Sequence, residues 1–219
     1  MVDLPRPHRL QPALALLELA SIAVGIEAGD AMVKRAPVDV LHAGTIHPGR
    51  YLVLVAGEVG DVEEAFAAGC EVGAPSLVDS VFLPNVHRQV VAALRGVRRP
   101  GRGEALGVVE TATVAATIDA ADAGVKGAAV ELLELRLGDG LGGKGYLLFD
   151  GSVSAVEAAV AVALDRIADQ AAGGGAVPGG RVPVARVIPQ LHRDMRAELE
   201  ADPRFATRLR ASGAAGGEA

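Results

Sequence analysis

Apolar and polar positions along the first 95 residues fall into short blocks, each with its own period. Ala13–Leu19 is an apolar run of strand length. Ser21 follows it and stands before an apolar stripe of Ile22, Ile26, Gly29 and Val33, spaced by three to four. That spacing predicts a helix capped by the serine, with the stripe as its apolar face and Pro37 as its end. Val38–Ala43 reads as a second strand, His42–Arg50 as a Pro/Gly loop, and Tyr51–Ala56 as a third strand. A helix over about 61–72, a fourth strand at Leu77–Leu83 and a short helix at His87–Leu94 complete the block. The order is βαββαβ plus a terminal helix, the split-βαβ, ferredoxin-like pattern of an α/β (α+β) fold.

The pattern then starts again. Residues 13–43 return at 105–135 with 14 of 31 positions identical, and residues 49–67 return at 143–161 with 8 of 19 identical. A period near 90 residues is too long for a solenoid, so each copy is one small domain. The expected organisation is a tail over 1–12, a first domain over 13–95, a linker over 96–104, a second domain over 105–199 and a tail over 200–219. The linker belongs to the basic run RGVRRPGRGE. In the second copy Val114, Ile118, Ala121 and Val125 repeat the stripe, and 171–180 (AAGGGAVPGG) is an insertion expected to be a flexible loop.

Composition narrows the function classes. Aromatics are only 3% and Trp is absent, so Ala, Val, Leu and Ile build the cores, which suits thin layers better than an enclosed ligand cavity. A net charge of −6 argues against nucleic acid, where a basic surface carries most of the affinity. No charge-free run approaches the roughly 20 residues that cross a bilayer, which points to a soluble cytoplasmic protein without a membrane partner. The one cysteine, Cys70, excludes an internal disulfide and reads as a packing residue.

The candidate chemistry is sparse. Gly138–Gly145 (GDGLGGKG) contains the glycine spacing of phosphate-binding loops. It joins strand to strand, however, and lacks the helix N-terminus that would hold a phosphate, so it reads as a plain loop. His47 sits in the corresponding loop of the first copy. A lone loop histidine is usually solvated, but several chains meeting there would bring imidazoles together. His87 and His192 match each other at helix starts and read as structural. Lys34 and Lys126, Glu18 and Glu110, and Asp30 and Asp122 also recur at matching positions, which suggests structural reasons over a catalytic dyad. No enzymatic residue set stands out.

ALALLELASIAVGIEAGDAMVKRAPVDVL and ALGVVETATVAATIDAADAGVKGAAVELLEL, with GLGGKGYLLFDGSVSAVEAAV and LVDSVFLPNVH, closely resemble the bacterial microcompartment shell domain, present twice and unpermuted, as in propanediol-utilising organelles. The resemblance implies a non-enzymatic homotrimer acting as a pseudohexagonal tile in a microcompartment shell. Its partners would be other shell proteins and, in places, encapsulated enzymes. It also implies a central pore lined by Thr45, Ile46, His47, Pro48 and Gly49 from one loop and Asp139, Gly140, Leu141 and Gly142 from the other. Tile-edge contacts would come from Lys34 and Lys126, with Asn85 and Gln190 where many relatives carry an arginine. The propanediol-type relative holds an iron–sulfur cluster through a pore-loop cysteine. Here His47 stands in that place, so the resemblance implies no thiolate-held cluster and leaves a metal at His47 as the alternative to an open pore.

Two other classes fit a tandem ferredoxin-like fold. A small-molecule-binding regulatory protein would have the same strand order, would be stabilised by one metabolite and would form no sheets. An acyl-phosphate hydrolase would need an arginine-bearing loop after the first strand, where this chain has Leu19-Ala20-Ser21.

Overall fold

The computed structural model describes residues 13–172 and 183–201. The expected tail over 1–12, all but the first two residues of the tail expected over 200–219, and most of the 171–180 insertion lie outside them. The first domain runs β1 (Ala13–Leu19), α1 (Ile22–Arg35), β2 (Val40–Ile46), β3 (Arg50–Gly57), α2 (Val59–Gly73), a 3-10 turn (Ala74–Ser76), β4 (Leu77–Leu83) and α3 (Arg88–Leu94). The second runs β5 (Ala105–Thr111), α4 (Val114–Gly127), β6 (Glu131–Leu137), β7 (Gly145–Gly151), α5 (Val153–Ala172), β8 (Val184–Pro189) and α6 (Arg193–Glu200). Each sheet is antiparallel, in the orders β2-β3-β1-β4 and β6-β7-β5-β8.

β1 is buried at all seven positions because it is central in its sheet and covered on both faces. The helix that follows starts where the capping pattern placed it. The Ser21 side chain accepts from the Val24 amide at 3.4 Å, and Thr113 does the same for Ala116 at 3.2 Å in the second domain. His87 and His192 cap α3 and α6, each Nδ1 accepting an amide N–H at 3.3 Å, so their expected structural role is borne out.

Three expectations need correction. First, the face that α1 buries is Gly25, Ala28, Gly29 and Met32, while Ile22, Ile26 and Val33 are 44, 56 and 40% exposed. Small residues win that face because α1 and α2 approach closely. A Cβ on Gly69 of α2 would fall 2.6 Å from Met32 Cγ and 2.7 Å from Leu17 Cδ1. Second, 42–50 is mostly hairpin. β2 and β3 pair up to Ile46↔Arg50, and only His47, Pro48 and Gly49 turn the chain, because Gly49 takes φ 94° and returns its N–H to Ile46 O at 2.9 Å. Third, Ala171 and Ala172 extend α5 instead of opening a loop.

The two domains share one core. α4 lies on the uncovered face of the first sheet, against β4 and β1, and α3 reaches across to β6. Leu14, Leu16, Val81, Leu83 and Val90 of the first domain therefore join Val114, Ile118 and Phe149 of the second in one buried cluster. Covered on both sides, α4 has eleven buried residues against four on α1.

Candidate functional site: the paired turns and the domain junction

The turns that the resemblance assigned to a pore come together within one chain. His47 Nδ1 lies 3.4 Å from Asp139 Oδ1, with side chains 75 and 82% exposed. The Ile46 side chain lies over Gly138, and Pro48 and Arg50 lie over Gly143. Gly138, Gly140, Gly142 and Gly143 all have positive φ between 62 and 82°, a region where side chains are disfavoured, so a glycine-rich turn is needed to wind this tightly. Thr45, Pro48, Gly49, Gly140 and Gly142 are exposed, Ile46 and Leu141 half-buried. Cβ atoms at Gly49, Gly140 and Gly142 would meet nothing within 4 Å, so the tip faces open space. At its base Lys144 Nζ is 3.3 Å from Glu110 Oε2.

The glycine run joins β6 to β7 with no helix after it, as its context implied. Among the described residues no group of three or more His, Cys, Asp or Glu side chains within the chain could hold a metal. Cys70 is in α2, packed against the first domain's core, and neither turn carries a thiol.

A second constellation, at the domain junction, is polar and buried. Glu18 is 0% exposed, pairs with Arg50, and accepts from the Val114 amide at the start of α4 at 2.8 Å. Beside it Asp79 accepts from the Thr113 hydroxyl. Further along α4, Asp119 takes Arg166 at 2.8 Å, and Asp122 takes the His87 amide at 2.7 Å and Lys126 at 2.5 Å. Burial pushes the Glu18, Asp79 and Asp119 carboxyls above the ordinary carboxylate range, against the lowering pull of Arg50, Thr113 and Arg166 respectively. The matching of Glu18 with Glu110 was legible as a structural signal. Asp79 and Asp119 were not, because nothing local shows that a second domain will cover them.

The expected edge residues divide. Lys126 reaches back across the junction and donates to Asn85 O at 2.5 Å, so these two meet. Lys34 is 72% exposed, paired with Asp30 on its own helix, and Gln190 is exposed with φ 51°. Among the described residues no contact brings Lys34 and Gln190 together.

The comparisons with known proteins agree with this architecture. A family model described as the BMC domain matches residues 13–86 and again 105–177. The chain is 41% identical over 190 residues to the bacterial microcompartment shell protein PduT of Citrobacter freundii, covering 87% of this chain and 98% of that one. It is 37% identical over 98 residues to the major carboxysome shell protein CsoS1 of Prochlorococcus marinus, covering 43% of this chain and 89% of the relative. A solved microcompartment protein from Desulfitobacterium hafniense DCB superposes with a TM-score of 0.68 at 38% identity, covering 85% of this chain and 99% of the other. A fused permuted hexameric shell protein from the RMM microcompartment shares the fold, with a TM-score of 0.53 at 21% identity over 73% of this chain and 85% of the other. Two matched domains in unpermuted order, one interdomain core and full-length similarity to a shell protein place the chain in the BMC-domain family, as a tandem-domain shell protein of bacterial microcompartments.

Proposed function

We propose that three copies of this chain close into a six-domain ring, a pseudohexagonal shell tile without catalytic activity whose central pore is rimmed by alternating His47 and Asp139 turns. One observation carries the reading. On α4 the residues Val114, Ile118 and Val125 are 0, 0 and 7% exposed because the first domain covers them. Their counterparts 92 positions earlier on α1, Ile22, Ile26 and Val33, are exposed apolar residues. The covering surface includes Val81 and Leu83, 3 and 5% exposed. By strand register their counterparts are Arg186 and Ile188 on β8, both exposed, beside Val184 at 48%.

Each chain therefore has one satisfied copy of an interface and, at its two ends, the two unsatisfied halves of another. Halves of this kind make a heterologous contact, which closes into a ring when the rotation allows. Glu110, the counterpart of Glu18, then faces the Ile22 amide of the next chain, whose Lys34 faces Gln190 of this one. Tiles of this kind would assemble with other shell proteins around encapsulated enzymes.

The ring would bring three His47–Asp139 pairs around one axis. Glycines at the tip leave room for small polar metabolites to pass, and three imidazoles at one axis could also hold a divalent metal. A thiolate cluster does not fit, since neither turn offers a sulfur ligand.

Negative-stain electron microscopy of the purified protein tests the assembly. Hexagonal outlines with a central hole are expected, and isolated monomers or dimers would overturn it. Metal analysis of wild type and His47→Ala tests the axis, because stoichiometric metal that persists in the variant rules out His47 as its ligand.

A further inference from the structure

The two domains differ at one equivalent place on the sheet face opposite the first two helices of each domain. In the first domain it is a groove of about 340 Å³, with a floor of Leu14 and Leu54 and a wall of Val86, Val91 and Leu94. These five residues correspond to Leu106, Leu148, Leu191, Arg196 and Leu199 in the second domain, where the remaining cavity is only about 20 Å³. The second groove is filled by the linker, the residues immediately before β5. Arg99 donates its amide to Leu133 O at 3.0 Å, Arg98 donates to Glu134 and to the carbonyls of Leu199 and Ala201, and the Arg102 amide donates to Asp150 at 2.9 Å. Gly101 is packed so closely that a Cβ there would fall 2.9 Å from Leu133 Cδ1.

We infer that the first groove is also a docking site, and that its occupant is the chain's own N-terminal segment, residues 1–12, lying before β1 as the linker lies before β5. Three observations select this occupant. The segment enters at Ala13, next to Leu14 on the groove floor. Its twelve residues exceed the six of the linker (98–103) that fill the equivalent site. Its chemistry also matches the lining. The acids that hold the arginine-rich linker, Glu134 and Asp150, are replaced in the first domain by His42 and Ala56. The occupant must therefore bind by apolar contact, and MVDLPRPHRLQP supplies Val2, Leu4, Pro5, Pro7 and Leu10. Pro7 stands where Arg99 donates its amide in the linker, so the segment is held by side chains and not by that backbone bond. Arg6 stands at the position of Arg98, whose guanidinium caps the end of α6, and would do the same for the end of α3.

The test uses the full chain with 1-anilinonaphthalene-8-sulfonate, a dye that brightens in apolar clefts. Leu4→Ser/Leu10→Ser should free the groove and raise dye fluorescence several-fold over wild type. Adding Val91→Arg, the residue the second domain has at this point, should abolish the rise. No rise in the double-serine variant overturns the proposal, as does a rise that Val91→Arg leaves unchanged. Oxidation of Leu10→Cys/Val91→Cys in a Cys70→Ser background identifies the source of the segment. An intrachain disulfide is expected. A disulfide-linked dimer overturns docking within one chain and assigns the groove to the segment of a neighbouring copy.

Discussion

Ile26 and Ile118 occupy one position in two copies of one fold, so replacing each by alanine separates folding from assembly. Ile118 is 0% exposed within the chain, and Ile118→Ala should cost about 2–5 kcal/mol of folding stability. Ile26 is 56% exposed, and Ile26→Ala should change the stability of the isolated chain by no more than about 0.5 kcal/mol. In a closed ring Ile26 becomes covered as Ile118 is. Three lost methyl or methylene groups at about 0.8 kcal/mol each then weaken each interface by about 2 kcal/mol. Three interfaces lose about 6 kcal/mol in all, or about four decades in the monomer–trimer constant. The half-assembly concentration varies as the square root of that constant, so it should rise about a hundredfold. Sedimentation velocity over a dilution series reads this midpoint, and chemical denaturation reads the folding stability. The reasoning is refuted if Ile26→Ala leaves the midpoint in place, or if it destabilises the fold as much as Ile118→Ala does. The chain-to-chain contact should also be the weaker of the two kinds, since Val184 stands where Asp79 accepts from Thr113 in the intrachain one.

Other outcomes follow from the junction and the turns. The folded-state pKa of Glu18 is raised, so the folded protein binds that proton more readily than the unfolded chain. Its stabilising contribution is complete below the ordinary value of 4.5 and is lost as pH rises through the raised value. Glu18→Gln should therefore flatten the dependence of melting temperature on pH over that window. Gly145→Ala should destabilise the second domain by about 1–3 kcal/mol in denaturant titrations, because its Cβ would fall 2.9 Å from Thr117 Cβ and 3.0 Å from Arg136 O. Lys126→Ala frees Asn85 O and leaves the buried Asp122 with only an amide partner, which should lower stability by on the order of 1 kcal/mol. Lys34→Ala should leave monomer stability unchanged and act only on ring or sheet formation, read by electron microscopy.

Much of the local structure was legible because it depends on short-range chemistry. The run Ala13–Leu19 has the length and apolarity of a central strand, Ser21 and Thr113 carry the oxygen that a helix start needs, and the duplication shows two domains. The loop that the Pro/Gly pattern predicts over 42–50 is longer than the turn at His47–Gly49, since strand pairing can continue until the last residue before a turn. His47 and Asp139 could be named as turn residues, but nothing local shows that the turns of two separate domains would stand 3.4 Å apart.

The sequence by itself determined the order of elements, their caps and the repetition, because each is set by interactions within a few residues or by direct comparison of the copies. Only the tertiary structure decided which apolar face of each helix is used. Ile22, Ile26 and Val33 make as good a stripe as Val114, Ile118 and Val125, yet one set is exposed and the other buried. Periodicity records that a surface is apolar. What covers it depends on the close approach of α1 and α2 at Gly69, and on whether a second domain lies against the other side.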